Sequence, residues 1–414
     1  MLFDRCLGLL LGSKDVDSEC ADGIEGIDGF SLTILKIRNK SKRKEAMKKI
    51  VLTLLTTATL FAGTPSASEK IFVVERESES IAIINEGLTK SHMTNMHNMN
   101  HGIIKFDGDD GYLISRDGYV VKFDPMTEKK EAEYKTSKSA IGFVIGKNYV
   151  AVANYDDKSV DILTRDLKPI DKIKTGSKNV GIKIYKDMIV FAQMDNDKVT
   201  VLKDGNYGKG LPKFKIFKEF KVGEMPFDAM IKDNTYIVGF FLTKAFGVID
   251  LDTMKFSEIK VTAKENKPVL KVPHFGFWSL SDKRTFVPAV GDNKVMVYDQ
   301  DFKFIKNIEM KGLPVFTALS PDKNYLAVTF SGKDFPTIQI VDTKTLKIIK
   351  TFTFKGKVLH VRWSNIDPDL YVSVNDANQV NVINTNEWFL EREIFQVKSP
   401  SGIFIYTKKD MAKK

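Results

Sequence analysis

Cysteine is nearly missing from this chain: Cys6 and Cys20 are its two, and both precede any recognisable folding pattern. An exported product without that segment needs no disulfide and offers no thiolate nucleophile. Histidine is scarce as well, five in all. Beyond residue 70 no apolar run approaches the roughly 20 residues a bilayer-spanning helix needs, so no integral membrane segment is expected in the mature form. Phosphate-cradling glycine loops, zinc-type spacings, a Ser-centred elbow and carboxylate dyads do not stand out.

What the start of the chain does carry is a targeting signal. From Met47 it reads MKKIVLTLLTTATLFAGTPSAS, with two lysines, an apolar core from Ile50 to Ala62, and small residues Ser66-Ala67-Ser68 before Glu69. That is the order of a secretory signal peptide, with a core too short for a membrane anchor. No cysteine stands at the cleavage site, so a lipid anchor is not expected, and residues 47–68 read as the signal of a periplasmic protein. Residues 1–46 show no strand pattern and end in the basic run KIRNKSKRKEA; they read as a mis-called or non-native extension, with Met47 the true start. Without residues 1–68, 53 Lys and Arg face 45 Asp and Glu, a net charge of +8 spread along the chain. Such a balance suits an anionic small ligand or partner, or simple solubility, better than nucleic acid, which export also disfavours.

From Ile71 onward one unit recurs: an apolar β-rich run, a polar turn and a second β-rich run, often closing on Asp. Examples are GYLISRDGYVVKFDPMT from Gly111, MIVFAQMDNDKVTVLKDG from Met188 and LYVSVNDANQVNVINTNE from Leu370. Eight units start at 71, 111, 148, 188, 235, 285, 325 and 370, spaced as single four-stranded propeller blades are. The pattern predicts an all-β, closed eight-bladed β-propeller over residues 69–414. IFVVER at the front and SGIFIYTKK at the back lack blades of their own and are expected to complete one sheet together. An open solenoid would need capping repeats, and none is visible.

Three of the five histidines, His92, His97 and His101, fall in one stretch with Met93, Met96 and Met99. Imidazole and thioether ligands together suit copper; the same stretch also reads as a ligand-free polar loop. A third reading singles out His101, just ahead of the strand IIKF, as a haem-iron ligand. His274, in KVPHFGFWSLSDKR, would face such a macrocycle from the other side as a proton donor, with Phe275, Phe277 and Trp278 covering it; the bland reading is an apolar plug. His360, alternating with Val361 and Arg362, reads as a satisfied core or channel histidine. Arg116 would fork onto a ligand carboxylate, or else pair with Asp117. Asn154, Tyr155 and Asp195 occupy equivalent blade turns, which in a ring face one rim, though Asn and Asp are also ordinary turn formers.

At these residues the chain resembles a known group. HGIIKFDGDDGYLISRDGYVVKFD, VANYDDKSV, FAQMDNDKV, GEMPFDAMI, KVPHFGFWSLSDKRTFVPAVG, GLPVFTALSPD, VLHVRW and the terminal SPSGIFI are similar to the haem d1-binding propellers: the d1 domain of cd1-type nitrite reductase and, more closely, the NirF family of haem d1 biosynthesis. The resemblance implies a propeller of the cytochrome d1 type, with His101 as proximal ligand of the iron, His274 in the distal pocket, Arg116 at a carboxylate and Asp195 as an acidic pocket residue. It implies haem d1 or an iron tetrapyrrole precursor as ligand, and cd1-type nitrite reductase and other haem d1 maturation proteins as partners. The activity implied is late conversion of a macrocycle side chain, such as oxidation of a propionate by an oxidoreductase, with a non-catalytic carrier as the alternative. Two departures stand out: no C-x-x-C-H haem c motif is present, so electrons cannot be relayed as in that reductase, and HMTNMHNM is an insertion.

Overall fold

The structure is a computed structural model and describes residues 68–85, 87–261, 279–289, 292–330 and 335–408. Residues 1–46 and the signal-like segment up to residue 67 lie outside this range. The eight hairpins of the sequence are the middle strands of eight four-stranded sheets. Blade 2 shows the build: Ile103–Asp107, Asp110–Ile114, Tyr119–Phe123 and Lys130–Lys135 pair antiparallel in chain order. Blades 3 to 8 repeat it, ending at Phe389–Ile394. Blade 1 is composite, because the chain's last strand, Pro400–Lys408, pairs with its first, Ser68–Glu75, followed by Ser80–Asn85 and Leu88–Met93. The expected closure between the two ends is therefore realised, and it removes the open edge a linear stack would expose.

Burial explains the sequence pattern. The middle strands are covered by neighbouring blades on both faces, so Tyr149–Asn154 and Met188–Gln193 are buried at every position and read as continuous apolar runs. Phe72, Phe191 and Phe246 are fully buried between sheets, each worth about 1.5–3 kcal/mol. The outermost strands, such as Pro169–Lys174 and Lys255–Lys260, alternate half-buried with exposed positions and are rich in lysine, which discourages edge pairing. The Asp that closes many units fixes the turn to the outermost strand. Asp124 accepts N–H bonds from Met126 and Thr127, and Asp342 does so from Lys344 and Thr345.

The innermost strands all run the same way along the central channel. Blade-to-blade junctions and the turns between second and third strands therefore share one face, the junction face, and all other turns share the opposite one. Among the described residues, five innermost strands slip register near their junction-side start: at Ala140/Gly142, Val180/Lys183, Pro226/Ala229, Pro314/Thr317 and Val358/His360. Such bulges bend a strand locally. Gly181 sits in one of them at φ +61°, where an added Cβ would lie 2.9 Å from the Ala229 backbone nitrogen, so glycine is required.

Candidate functional site

The His/Met stretch bridges blades 1 and 2 on the junction face. Met93, Met96 and Met99 are buried with Phe72, Ile104 and Phe123, where their flexible thioethers fill the seam between the two sheets. His92 Nε2 lies 3.1 Å from the Gln396 carbonyl and 3.4 Å from a Glu75 oxygen. His97 stacks on Tyr119 at 3.7 Å, with Nε2 3.0 Å from Glu133. The copper reading is thereby corrected: the sulfurs serve the core, and the His92 and His97 imidazoles turn to separate partners, one at the junction ahead of the last strand and one on the outermost strand of blade 2. His101 is exposed at the junction, at φ +68°, two residues ahead of Ile103. The loop is stitched to the Arg-Asp turn, since the Arg116 N–H donates to the Asn98 carbonyl at 2.8 Å and the Asn98 N–H to Asp117 Oδ1 at 3.1 Å.

Arg116, Tyr155 and Asp195 do come together. The Arg116 guanidinium lies 5.8 Å from the centre of the Tyr155 ring, and Lys178 Nζ lies 5.0 Å from it. Among the described residues Arg116 pairs with no carboxylate, Asp117 being engaged by Asn98, so its fork is available to a ligand. Burial pushes the Tyr155 phenol up to about 12; Arg116 opposes this, while Asp195 and Asp156 add to it. The phenol is a neutral donor at any physiological pH. Asp195 Oδ2 accepts the Lys178 N–H at 3.2 Å and pairs with Lys158 Nζ at 3.2 Å, while its own N–H donates to Ser177 Oγ at 2.9 Å.

Asn154 is not a rim residue. It ends its strand with the side chain turned into the blade and has no exposure: Oδ1 accepts from Thr136 Oγ1 at 2.9 Å, and Nδ2 donates to Ser159 Oγ at 2.9 Å and Asp161 Oδ1 at 2.8 Å. Its expected part in ligand binding is replaced by a structural one. Asn154→Ala should lose about 1–3 kcal/mol of stability by stranding these partners, seen as a lower melting temperature with unaltered tetrapyrrole affinity; a stable variant with weakened binding would reverse the assignment. His360 matches its bland reading. Its Nδ1 lies 3.4 Å from the Ile403 N–H and its ring 4.4 Å from that of Phe316, and burial, aided by Arg362, holds its pKa well below the usual value. His274 and Trp278 lie outside the described residues.

Among the basic residues of the junction face that the sequence reading did not single out are Arg76, Lys178 and Lys357. Arg76 Nε donates to Asn100 Oδ1 at 2.8 Å, and burial, followed by the charge of Arg76, lowers the Lys357 pKa against the pull of Asp376. Aligning the junctions would have exposed part of the pattern. Lys178 and Lys357 stand one residue before their innermost strands, and His101 stands two before, where Lys138 and Lys398 stand in other blades.

Comparison with known proteins agrees with this architecture. Protein NirF of Pseudomonas aeruginosa is 26% identical over 382 residues, covering 86% of this chain and 95% of the relative. Protein NirF of Stutzerimonas stutzeri is 27% identical over 362 residues, covering 81% and 91%. Among solved structures, the dihydro-heme d1 dehydrogenase NirN in complex with DHE shares the fold with a TM-score of 0.70 at 21% identity, over 81% of this chain and 74% of that one. Apo AztD from Citrobacter koseri does so at 0.59 and 12%, over 83% and 99%. Residues 67–409, the whole closed ring, match the cytochrome D1 heme domain, and the chain belongs to that family.

Proposed function

We propose that this chain is a periplasmic factor of haem d1 formation, exported through residues 47–68, that binds haem d1 or an iron tetrapyrrole precursor at the junction-face mouth and takes part in late conversion of a side chain. The observation that supports this most is the rim itself: Arg116 and Lys178 flank the neutral Tyr155 phenol on the same face as the exposed His101 imidazole, in a ring of the cytochrome D1 heme domain family. Among the described residues no cluster of three or more His, Cys, Asp or Glu side chains is placed to hold a bare metal ion. Iron held within a tetrapyrrole would need only a single ligand from the protein.

In this reading His101 is that ligand, Arg116 and Lys178 hold the macrocycle's carboxylates, and Trp278 covers one face of it. Asp195 and His274 move the proton. Oxidation of a propionate removes a pair of hydrogens, leaves a carbon–carbon double bond and passes two electrons to an acceptor. The carrier reading has an observation in its favour, because Asp195 Oδ2 is already engaged by Lys158 and the Lys178 amide. A carrier would deliver the cofactor to cd1-type nitrite reductase unchanged.

One experiment separates the two. The purified protein is incubated with dihydro-haem d1 and an artificial electron acceptor, and the macrocycle is weighed by mass spectrometry. Loss of a hydrogen pair, slowed in Asp195→Asn, is the expected result. A bound but unchanged macrocycle assigns the carrier role, and absence of any binding removes both.

A further inference from the structure

The central channel opens into a second space at the end away from the rim. A cavity of about 600 Å³ is lined there by Lys105, Phe106, Arg362, Asn365, Phe404 and Ile405, among others. These residues belong to the later halves of innermost strands or to the turns beyond them. A smaller cavity of about 220 Å³, on the junction side, is lined by Lys105, Lys183 and Asp228, with apolar neighbours. Lys105 thus borders both.

Besides Lys105 and Arg362, the larger cavity is lined by the Asp107 carboxylate. Arg362 Nε donates to the Ile403 carbonyl at 3.2 Å, and among the described residues its guanidinium pairs with no carboxylate. Lys105 Nζ donates to the Phe143 carbonyl and lies 4.9 Å from the centre of the Phe143 ring. Asp228 lies on the junction side, 3.9 Å from Lys183, and Asp107, at the far mouth, is engaged by Arg165. Two buried cations bordering one partly open space carry a desolvation penalty that an anion would relieve. Phe106, Val144, Ile145, Phe404 and Ile405 give it apolar wall, and Asn365 with Asp107 adds polar surface.

We propose that this far end of the channel is a binding site for an organic carboxylate with an apolar body, its carboxylate held between the Arg362 guanidinium and the Lys105 ammonium and its hydrocarbon against Phe106 and Phe404. The volume suits a compact organic ligand, and apolar walls with a few convergent polar groups are what such sites present. The site lies apart from the rim and does not rest on the tetrapyrrole reading.

Lys105 gives the site a pH dependence. Burial, with Lys183 adding and Asp228 opposing, pushes its pKa down to about 7. The charged groups acting on it are Lys183 from blade 4, itself lowered by burial, and Asp228 from blade 5, while Arg362 from blade 8 and Asp107 from its own strand line the same cavity. Blades 1 and 3 present apolar walls there. A bound carboxylate favours the charged ammonium, so affinity is full below about pH 7 and falls by up to roughly tenfold per unit as pH rises above it.

The test titrates naphthoate and its neutral isostere naphthamide into the full chain without tetrapyrrole, following naphthalene fluorescence. Naphthoate should saturate a single site, with naphthamide at least about tenfold weaker. Arg362→Gln and Lys105→Met should each weaken naphthoate about tenfold or more, while Arg116→Gln on the opposite face leaves it unchanged. Equal binding of the two probes overturns the proposal even if a variant fails to fold. So does naphthoate affinity that ignores both channel substitutions, or that collapses in Arg116→Gln.

Discussion

Removal of Pro400–Lys408 is expected to leave a chain without a cooperative unfolding transition. That segment is the innermost strand of blade 1, and it buries Ile403 and Tyr406 against the first strand and its neighbours. It also anchors a latch between the chain's ends. Glu69 accepts from Ser364 Oγ at 2.7 Å, from the Asn365 N–H at 2.8 Å and from Thr407 Oγ1 at 3.2 Å. Each large side chain returned to water loses about 1.5–3 kcal/mol, the strand ladder is lost with them, and the edge of Ser68–Glu75 is exposed. The total is comparable with the roughly 5–15 kcal/mol that holds a domain folded. Thermal melting by far-UV circular dichroism, with gel filtration, reads the result. A truncated chain that stays monomeric and melts within a few degrees of the full one contradicts the latch, whereas rescue by the synthetic peptide SPSGIFIYTKK would support it.

The second large effect concerns His101. His101→Gly should weaken tetrapyrrole binding by about 100-fold or more, since even partners one step removed from a metal ligand are worth 10–100-fold. Glycine is the informative replacement because the residue sits at φ +68°, where glycine is unstrained and the loop keeps its path. The absorption and electron paramagnetic resonance spectra of the ferric complex should lose their imidazole signature and regain it on adding free imidazole. An unaltered spectrum in the variant assigns the iron to another side chain, and His97→Gln provides the comparison, because His97 is held by Tyr119 and Glu133.

The ring was legible because burial on both faces of the middle strands writes nearly continuous Val/Ile/Phe runs, and because IFVVER and SGIFIYTKK each lacked a partner. The shared rim of Arg116, Tyr155 and Asp195 was legible for a geometric reason: equivalent turns of equivalent blades face the same way. Asn154 was misread because side chains alternate along a strand, and one residue separates a position turned into the blade from one turned to the rim. The methionines were ambiguous in principle, as a thioether fills a core seam as readily as it binds a soft metal, and only the packing of Phe72 and Phe123 around them decides. Lys178 and Lys357 look like ordinary surface lysines until the junctions are superimposed, and Arg362 looks like any strand arginine until the channel is formed.

The five register slips have a consequence for how this ring can vary. A bulge opposes two residues to one, so the chain gains or loses a position there while the pairing beyond it keeps step. Single-residue insertions or deletions at these points would be absorbed on one side of the wheel, leaving the far side, with Lys105 and Arg362, in place. Relatives with differently shaped upper openings above an unchanged base are the expected result, each opening reshaped to its own guest without rebuilding the hub.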